Sequence, residues 1–154
     1  MSRGFTLVEL LIVLVVGMIL AGTVIPAAST LDDQVLLADA NVLVADLEFA
    51  QARAVATGQS HRLLFDPEEE SYTVESPPGT ILDEPLSRRP WHRKLAEKGN
   101  TGIGTVNFGG TNAILFDAAG TPDHGGNVRL AVSRELQCIV EVAPVTGKVT
   151  LTIP

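Results

Sequence analysis

The sequence predicts an α+β fold in which a long N-terminal helix, apolar in its first half and amphipathic in its second, packs on a mostly antiparallel β-sheet head. Three observations predict it. No charged residue occurs from Leu10 to Ala28. Leu36, Ala40, Leu43, Leu47, Ala50 and Ala54 then recur at alternating spacings of four and three, which is the apolar stripe of a helix lying on a core. After Gly58 the period changes to two, as in half-buried strands. With 154 residues there is room for one such domain and no second core.

The first element is long enough to stay in a membrane. At about 1.5 Å per residue, a helix over Leu10 to Ala28 nearly spans a hydrocarbon core of roughly 30 Å. A secretory signal has a shorter apolar stretch, although "IPAAS" would supply a small-x-small cleavage site. Glu9 also interrupts the place where such a stretch should be continuous. An ionisable group at membrane depth costs several kcal/mol without a partner, so Glu9 calls for a cation brought by another chain.

The residues "GFTLVELLIVLVV" resemble the type III signal of type IV pilins and type II secretion pseudopilins. The resemblance implies cleavage after Gly4 by a prepilin peptidase, methylation of the new N-terminus at Phe5, and pairing of Glu9 with the N-terminal ammonium of a neighbouring subunit. Arg3 and the initiator amine place positive charge on the leader and hold it in the cytoplasm, with the rest outside.

Gly22 precedes Pro26 by four and leaves room for the clash between a proline ring and the carbonyl at i−4. The pair reads either as a helix kink or as a helix ending at the membrane edge. Beyond it the stripe carries the helix to "TGQ", where Gly58 suits a C-terminal stop. Asp39, Asp46 and Arg53 recur every seven residues and are assigned to a different face from the stripe.

Seven strands follow, in "SHRLLFD", "SYTVES", "IGTVNFG", "NAILFD", "NVRLAVSR", "QCIVEVA" and "KVTLTI". "DPEEES" reads as the turn of the first hairpin and "PVTGK" as that of the last, with Gly147 able to take positive φ. The long connection over residues 77–102 is punctuated by prolines and reads as a loop with a short helix around Trp91 to Lys98. It gathers Arg88, Arg89, Arg93, Lys94 and Lys98, five of the eleven basic residues, around Trp91. Arg88, Arg89, Trp91, Arg93 and Lys94 are therefore a candidate partner-contact loop, weighed against a solvated loop whose Trp91 packs back on the sheet.

The later segments "DLEFAQARAVATGQSHRLLFD", "ILFDAAGTPDHGGNVRL" and "VEVAPVTGKVTL" are similar to the GspH/FimT minor pseudopilin domain. The resemblance implies a pilin-like fold divided into a leader over 1–4, a transmembrane and filament-core helix over 5–28, its amphipathic continuation over 29–58, and a β-rich periplasmic head over 59–154. It implies a minor pseudopilin of a type II secretion system, at the tip of a periplasmic pseudopilus that promotes protein export. The location implied is the bacterial inner membrane, crossed once, and then the pseudopilus. The partners implied are prepilin peptidase, other pseudopilins or pilins, and inner-membrane lipid. An alternative is a FimT-like minor type IV pilin serving pilus assembly or DNA uptake. A third is a secreted or lipid-facing β-domain behind a conventional signal.

Composition and motifs argue against chemistry. The net charge of −7 supplies no global field for a nucleic-acid backbone, and only the Trp91 loop would offer phosphate contacts and stacking. Cys138 is the only cysteine, which excludes an intramolecular disulfide and reads as a small buried hydrophobe. His61, His92 and His124 lack metal-ligand spacing, and His61 reads as a surface or edge residue. "DAAGTPDHGG" lacks the oxygen spacing of a calcium loop and reads as a turn. "GNTGIGTVNFGG" is not a dinucleotide fingerprint, and no serine has a hydrolase context. The expectation is no enzyme activity, no cofactor and no metal.

Overall fold

The computed structural model describes residues 6–95, 101–133 and 136–154, leaving the side chains of residues 19–31 outside the description. Its first element is a single helix, α1, over Leu7–Thr57. Thr6 caps it in an extended conformation, and its hydroxyl accepts a hydrogen bond from the Glu9 amide at 3.3 Å. This is the Thr-x-x-Glu signature of a helix start, with the Glu9 carboxylate in the first turn where the helix dipole favours an anion. Gly58 ends the helix in the left-handed conformation at φ 64°. The helix does not end at the expected membrane edge: it is continuous through Gly22 and Pro26.

The stripe along the second half of α1 faces the core. Leu36, Ala40, Leu43, Leu47, Ala50 and Ala54 are all buried. Each leucine contributes on the order of 1.5–3 kcal/mol by leaving water, while the alanines let the helix backbone approach the strands beneath it.

Those strands form two four-stranded sheets in which every neighbouring pair is antiparallel. The first contains β1 (His61–Asp66), β2 (Ser71–Glu75), β3 (His92–Lys94) and β5 (Ala113–Phe116), in the order β3-β2-β1-β5. The second contains β4 (Gly102–Phe108), β6 (Gly126–Ala131), β7 (Gln137–Val142) and β8 (Val149–Thr152), in the order β4-β6-β7-β8. Alternation puts Leu63, Phe65, Tyr72, Val74, Ile114 and Phe116 of the first sheet, and Val128, Leu130, Cys138, Val140 and Val142 of the second, into one core with the helix stripe. Phe65 stacks on Phe108 at 5.9 Å between ring centroids, joining the two sheets.

Turn chemistry follows the sequence closely. Asp66 Oδ1 accepts from the amides of Glu68 and Glu69 in the first hairpin turn, and Gly147 takes φ 65° in the last. Asp117 Oδ1 accepts from Ala119 and Thr121, so "DAAGT" is a self-bonded turn.

Three expectations are corrected. His61 is not at a surface or an edge: it is 2% exposed on β1, which is flanked by β2 and β5, and its Nδ1 lies 3.0 Å from the Gln59 carbonyl. The short helix around Trp91 is instead β3, an edge strand paired to β2 through Tyr72↔Arg93 and its neighbours. Its far end, Lys98, lies outside the described residues. Asp46 is not on a face apart from the core but is buried, for the reason given below.

Candidate functional site

Two parts of the molecule carry the residues singled out from the sequence: the start of α1 and the loop that leads into β3. Gly4 and Phe5 lie outside the described residues. Glu9 is exposed in the first turn, and around it Leu7, Val8, Leu10, Leu11, Ile12, Val13, Leu14, Val15, Val16 and Met18 are exposed as well. So long an apolar surface on a folded chain marks a place that another molecule or a lipid phase covers. Gly22 and Pro26 sit within the helix, and their side chains lie outside the description. Among the described residues, no helix is long and apolar enough to cross a membrane.

The second part is held by a buried carboxylate. Asp46 Oδ2 accepts hydrogen bonds from Tyr72 Oη at 2.7 Å, Trp91 Nε1 at 3.3 Å and Arg93 Nε at 2.9 Å. The second face of Arg93 donates to Glu84 Oε1 at 2.9 Å. Burial, reinforced by the Asp46 charge and hydrogen bond, pushes the Tyr72 hydroxyl well above its usual value. Burial works to lower Arg93, but the Asp46 carboxylate and its other partners outweigh it and the guanidinium is held above its usual value. The Ser87 hydroxyl, then Arg93 against the opposing effect of burial, holds Glu84 below the usual carboxylate range.

The backbone fixes the same loop. Leu82 N donates to Val74 O at 2.8 Å, Trp91 N to Leu82 O at 2.7 Å, and Val74 N to Trp91 O at 3.1 Å. Residues 82–91 thus form a hairpin-like excursion pinned at its base beside β2. Trp91 packs on Phe49 of α1 with ring centroids 5.0 Å apart. Between helix and excursion lies a groove of about 390 Å³, lined by Val42, Ala45, Phe49, Pro85, Leu86 and Trp91 above the Asp46, Arg93 and Glu84 charges.

The five residues of the candidate contact loop are therefore divided. Trp91 is buried and engaged, so its ring is no stacking platform, and Arg93 is tied to Asp46 and Glu84. Arg88, Arg89 and Lys94 remain exposed. Asp46, Glu84, Phe49 and Leu86 belong to the same construction and were not foreseen. Their only sequence signal is that Asp46 adjoins Leu47 of the core stripe. Among the described residues no group of histidine, cysteine and carboxylates could hold a metal ion.

A long helix lying across antiparallel sheets, exposed and apolar at its start, is the architecture of pilin-like subunits. The fold is similar to that of the minor pseudopilin EpsH from the type 2 secretion system of Vibrio cholerae, at TM-score 0.62 and 13% identity over 77% of this chain and 97% of that one. It is also similar to the type IV minor pilin FimU of Pseudomonas aeruginosa, at TM-score 0.57 and 15% identity over 77% and 92%. Residues 1–25 match the prokaryotic N-terminal methylation motif, and residues 39–146 match type II transport protein GspH. Type II secretion system protein H of Xanthomonas campestris pv. campestris is 30% identical over 152 residues, 96% of this chain and 81% of that protein.

The chain belongs to the GspH family of type II transport proteins, the minor pseudopilins of type II secretion. It is a structural subunit and not an enzyme. The methylation motif implies processing by prepilin peptidase, and the family implies assembly with other pseudopilins at the inner membrane and pseudopilus.

Proposed function

We propose that the chain is cut after Gly4, methylated on the amine of Phe5, and carried through its first helix from the inner membrane into the tip of a periplasmic pseudopilus that promotes protein export. The observation that carries this reading is the exposed apolar start of α1 with a single carboxylate, Glu9, in its first turn. In a filament core the apolar residues pack against their counterparts, and Glu9 pairs with the ammonium that processing creates on a neighbour. An unpaired carboxylate there costs several kcal/mol, so the pair also sets the axial position at which a subunit is accepted. The head stays outside, in the periplasm, with the leader on the cytoplasmic side before cleavage. Residues 5–28 form the membrane and filament segment, residues 29–58 its amphipathic continuation, and Gly22 with Pro26 the place where the helix adjusts its direction.

The experiment is mass spectrometry of the mature N-terminus together with filament incorporation of Glu9→Val. The expected results are a methylated Phe5 and a loss of incorporation of tenfold or more. Cleavage near Ala28, or undiminished incorporation of Glu9→Val, overturns the reading.

A further inference from the structure

The two strands that end the chain run along the helix, and their direction fixes which end of the second sheet faces the membrane. Gln51 Nε2 donates to Thr146 O in the turn between β7 and β8, whereas Asp33, Leu36 and Leu37 of α1 meet Leu136 and Cys138 around the start of β7 and Ile153 just past β8. At about 1.5 Å per residue, Gln51 lies about 27 Å further along α1 than Asp33. The ends of β7 and β8 beside Asp33 are therefore the ones nearest the apolar half of the helix. Between them and α1 lies a slot of about 180 Å³, walled by Leu36, Leu37, Leu136, Cys138 and Ile153. Ile153 is 61% exposed and Leu37 half-buried, so apolar surface stays open beside it.

We propose that, while the chain is in the membrane, this slot takes an acyl chain of an amine-headed phospholipid whose ammonium meets Asp32 and Asp33. The inference rests on the membrane segment proposed above and adds a lipid contact made by the head. Level, size and charge select that occupant. No charged residue occurs over residues 10–31, and Asp32 and Asp33 are the first after Glu9. An uncharged helix leaves the hydrocarbon where its charges begin, and the polar layer beyond is about 5–7 Å deep. Residues 33–37 cover about 6 Å of helix, so the slot stands at the level of the headgroups. A helix with its side chains is about 10–12 Å across and too wide for this space, whereas a single hydrocarbon chain enters it and finds apolar walls. Asp32 and Asp33 are exposed and in no ion pair among the described residues. In a chain of net charge −7 they repel an anionic headgroup and attract an ammonium. Arg134 and Glu135, which precede Leu136 in the sequence, cancel in charge and leave that preference intact.

The test uses the full chain reconstituted in vesicles of phosphatidylethanolamine and phosphatidylglycerol. A trace phospholipid carries a photo-reactive diazirine on its acyl chain, under either an ethanolamine or a glycerol headgroup, and labelled peptides are mapped by mass spectrometry. Both probes should label residues 7–18 equally. The ethanolamine probe should also label residues 33–37, 136–138 and 153, at least fivefold above the glycerol probe and tenfold above its own labelling of residues 143–148 at the far end of the sheet. Ile153→Asp, at an exposed position, should cut this labelling at least fivefold while Cys138 stays protected from thiol reagents. Asp32→Asn together with Asp33→Asn should bring the two probes level. Equal labelling of the slot by both probes in the unaltered chain, or labelling of residues 143–148 as strong as that of the slot, overturns the proposal. If residues 7–18 are labelled and the slot is not, the lipid inference falls alone. If neither probe labels residues 7–18, the chain does not enter the bilayer and both readings fall.

Discussion

Asp46 Oδ2 accepts a hydrogen bond from Arg93 Nε at 2.9 Å across 47 residues of sequence, and this one contact joins the helix to the edge strand β3. The same oxygen serves Tyr72 and Trp91, so a single carboxylate fixes the helix, the strand and the excursion between them.

Replacing Asp46 with alanine leaves Tyr72 Oη and Trp91 Nε1 without their acceptor in the interior and Arg93 without its main counter-ion. Removing one partner of a buried pair is strongly destabilising, but Arg93 is about a third exposed and regains some water. The expected loss is about 3 kcal/mol. Trp91 is the only tryptophan, so its fluorescence in a urea titration reports the event at the altered site.

Alkaline pH should act through Tyr72. Its folded value is raised, so the neutral hydroxyl is preferred in the folded chain and the associated stability is fully present below 10.0, where the unfolded tyrosine is also neutral. Above that value the unfolded chain gains by ionising while the folded one does not. Stability should fall as pH rises past about 10 toward the folded value, and Tyr72→Phe should flatten that part of the urea-midpoint profile.

Cys138 is fully buried on β7, and burial pushes its thiol to about 11. At pH 8 the native protein should resist thiol reagents, with modification proceeding only as fast as the chain opens. Full and rapid labelling should appear on addition of denaturing urea, measured by mass.

Gln51 closes the opposite side of the helix. Its Nε2 donates to Gly120 O at 2.8 Å and Thr146 O at 3.0 Å, tying α1 to two turns. Gln51→Ala should cost about 1–2 kcal/mol. Gly147→Ala should cost about as much or more, because φ is 65° there and the new methyl group would press on the Gln51 amide. Urea midpoints of the two single variants and the double variant test the coupling, which should be less than additive since both act on one contact.

Local pattern made much of this legible. The stripe from Leu36 to Ala54 was readable because a helix on a core repeats every three or four residues, and all six positions are buried. Gly58 and Gly147 were readable because backbone conformation at a stop or a turn is a local demand that glycine meets. Seven of the eight strands among the described residues announced themselves by alternation. β3 did not, since its three residues, His92, Arg93 and Lys94, carry no apolar alternation at all.

The sequence by itself determined the long helix, its buried face, the strands that alternate and the single carboxylate, Glu9, at the head of the apolar run, because each is specified within a few residues of chain. Tertiary structure alone decided that Asp46 is an internal ligand of three donors, that His61 is interior and that Trp91 and Arg93 hold a loop in place. Their partners lie as far as 47 residues away, and burial of a polar group depends on who arrives to satisfy it, which no local pattern records. The division of the strands into two sheets belongs with these, for pairing is chosen by the core they share and not by any strand alone.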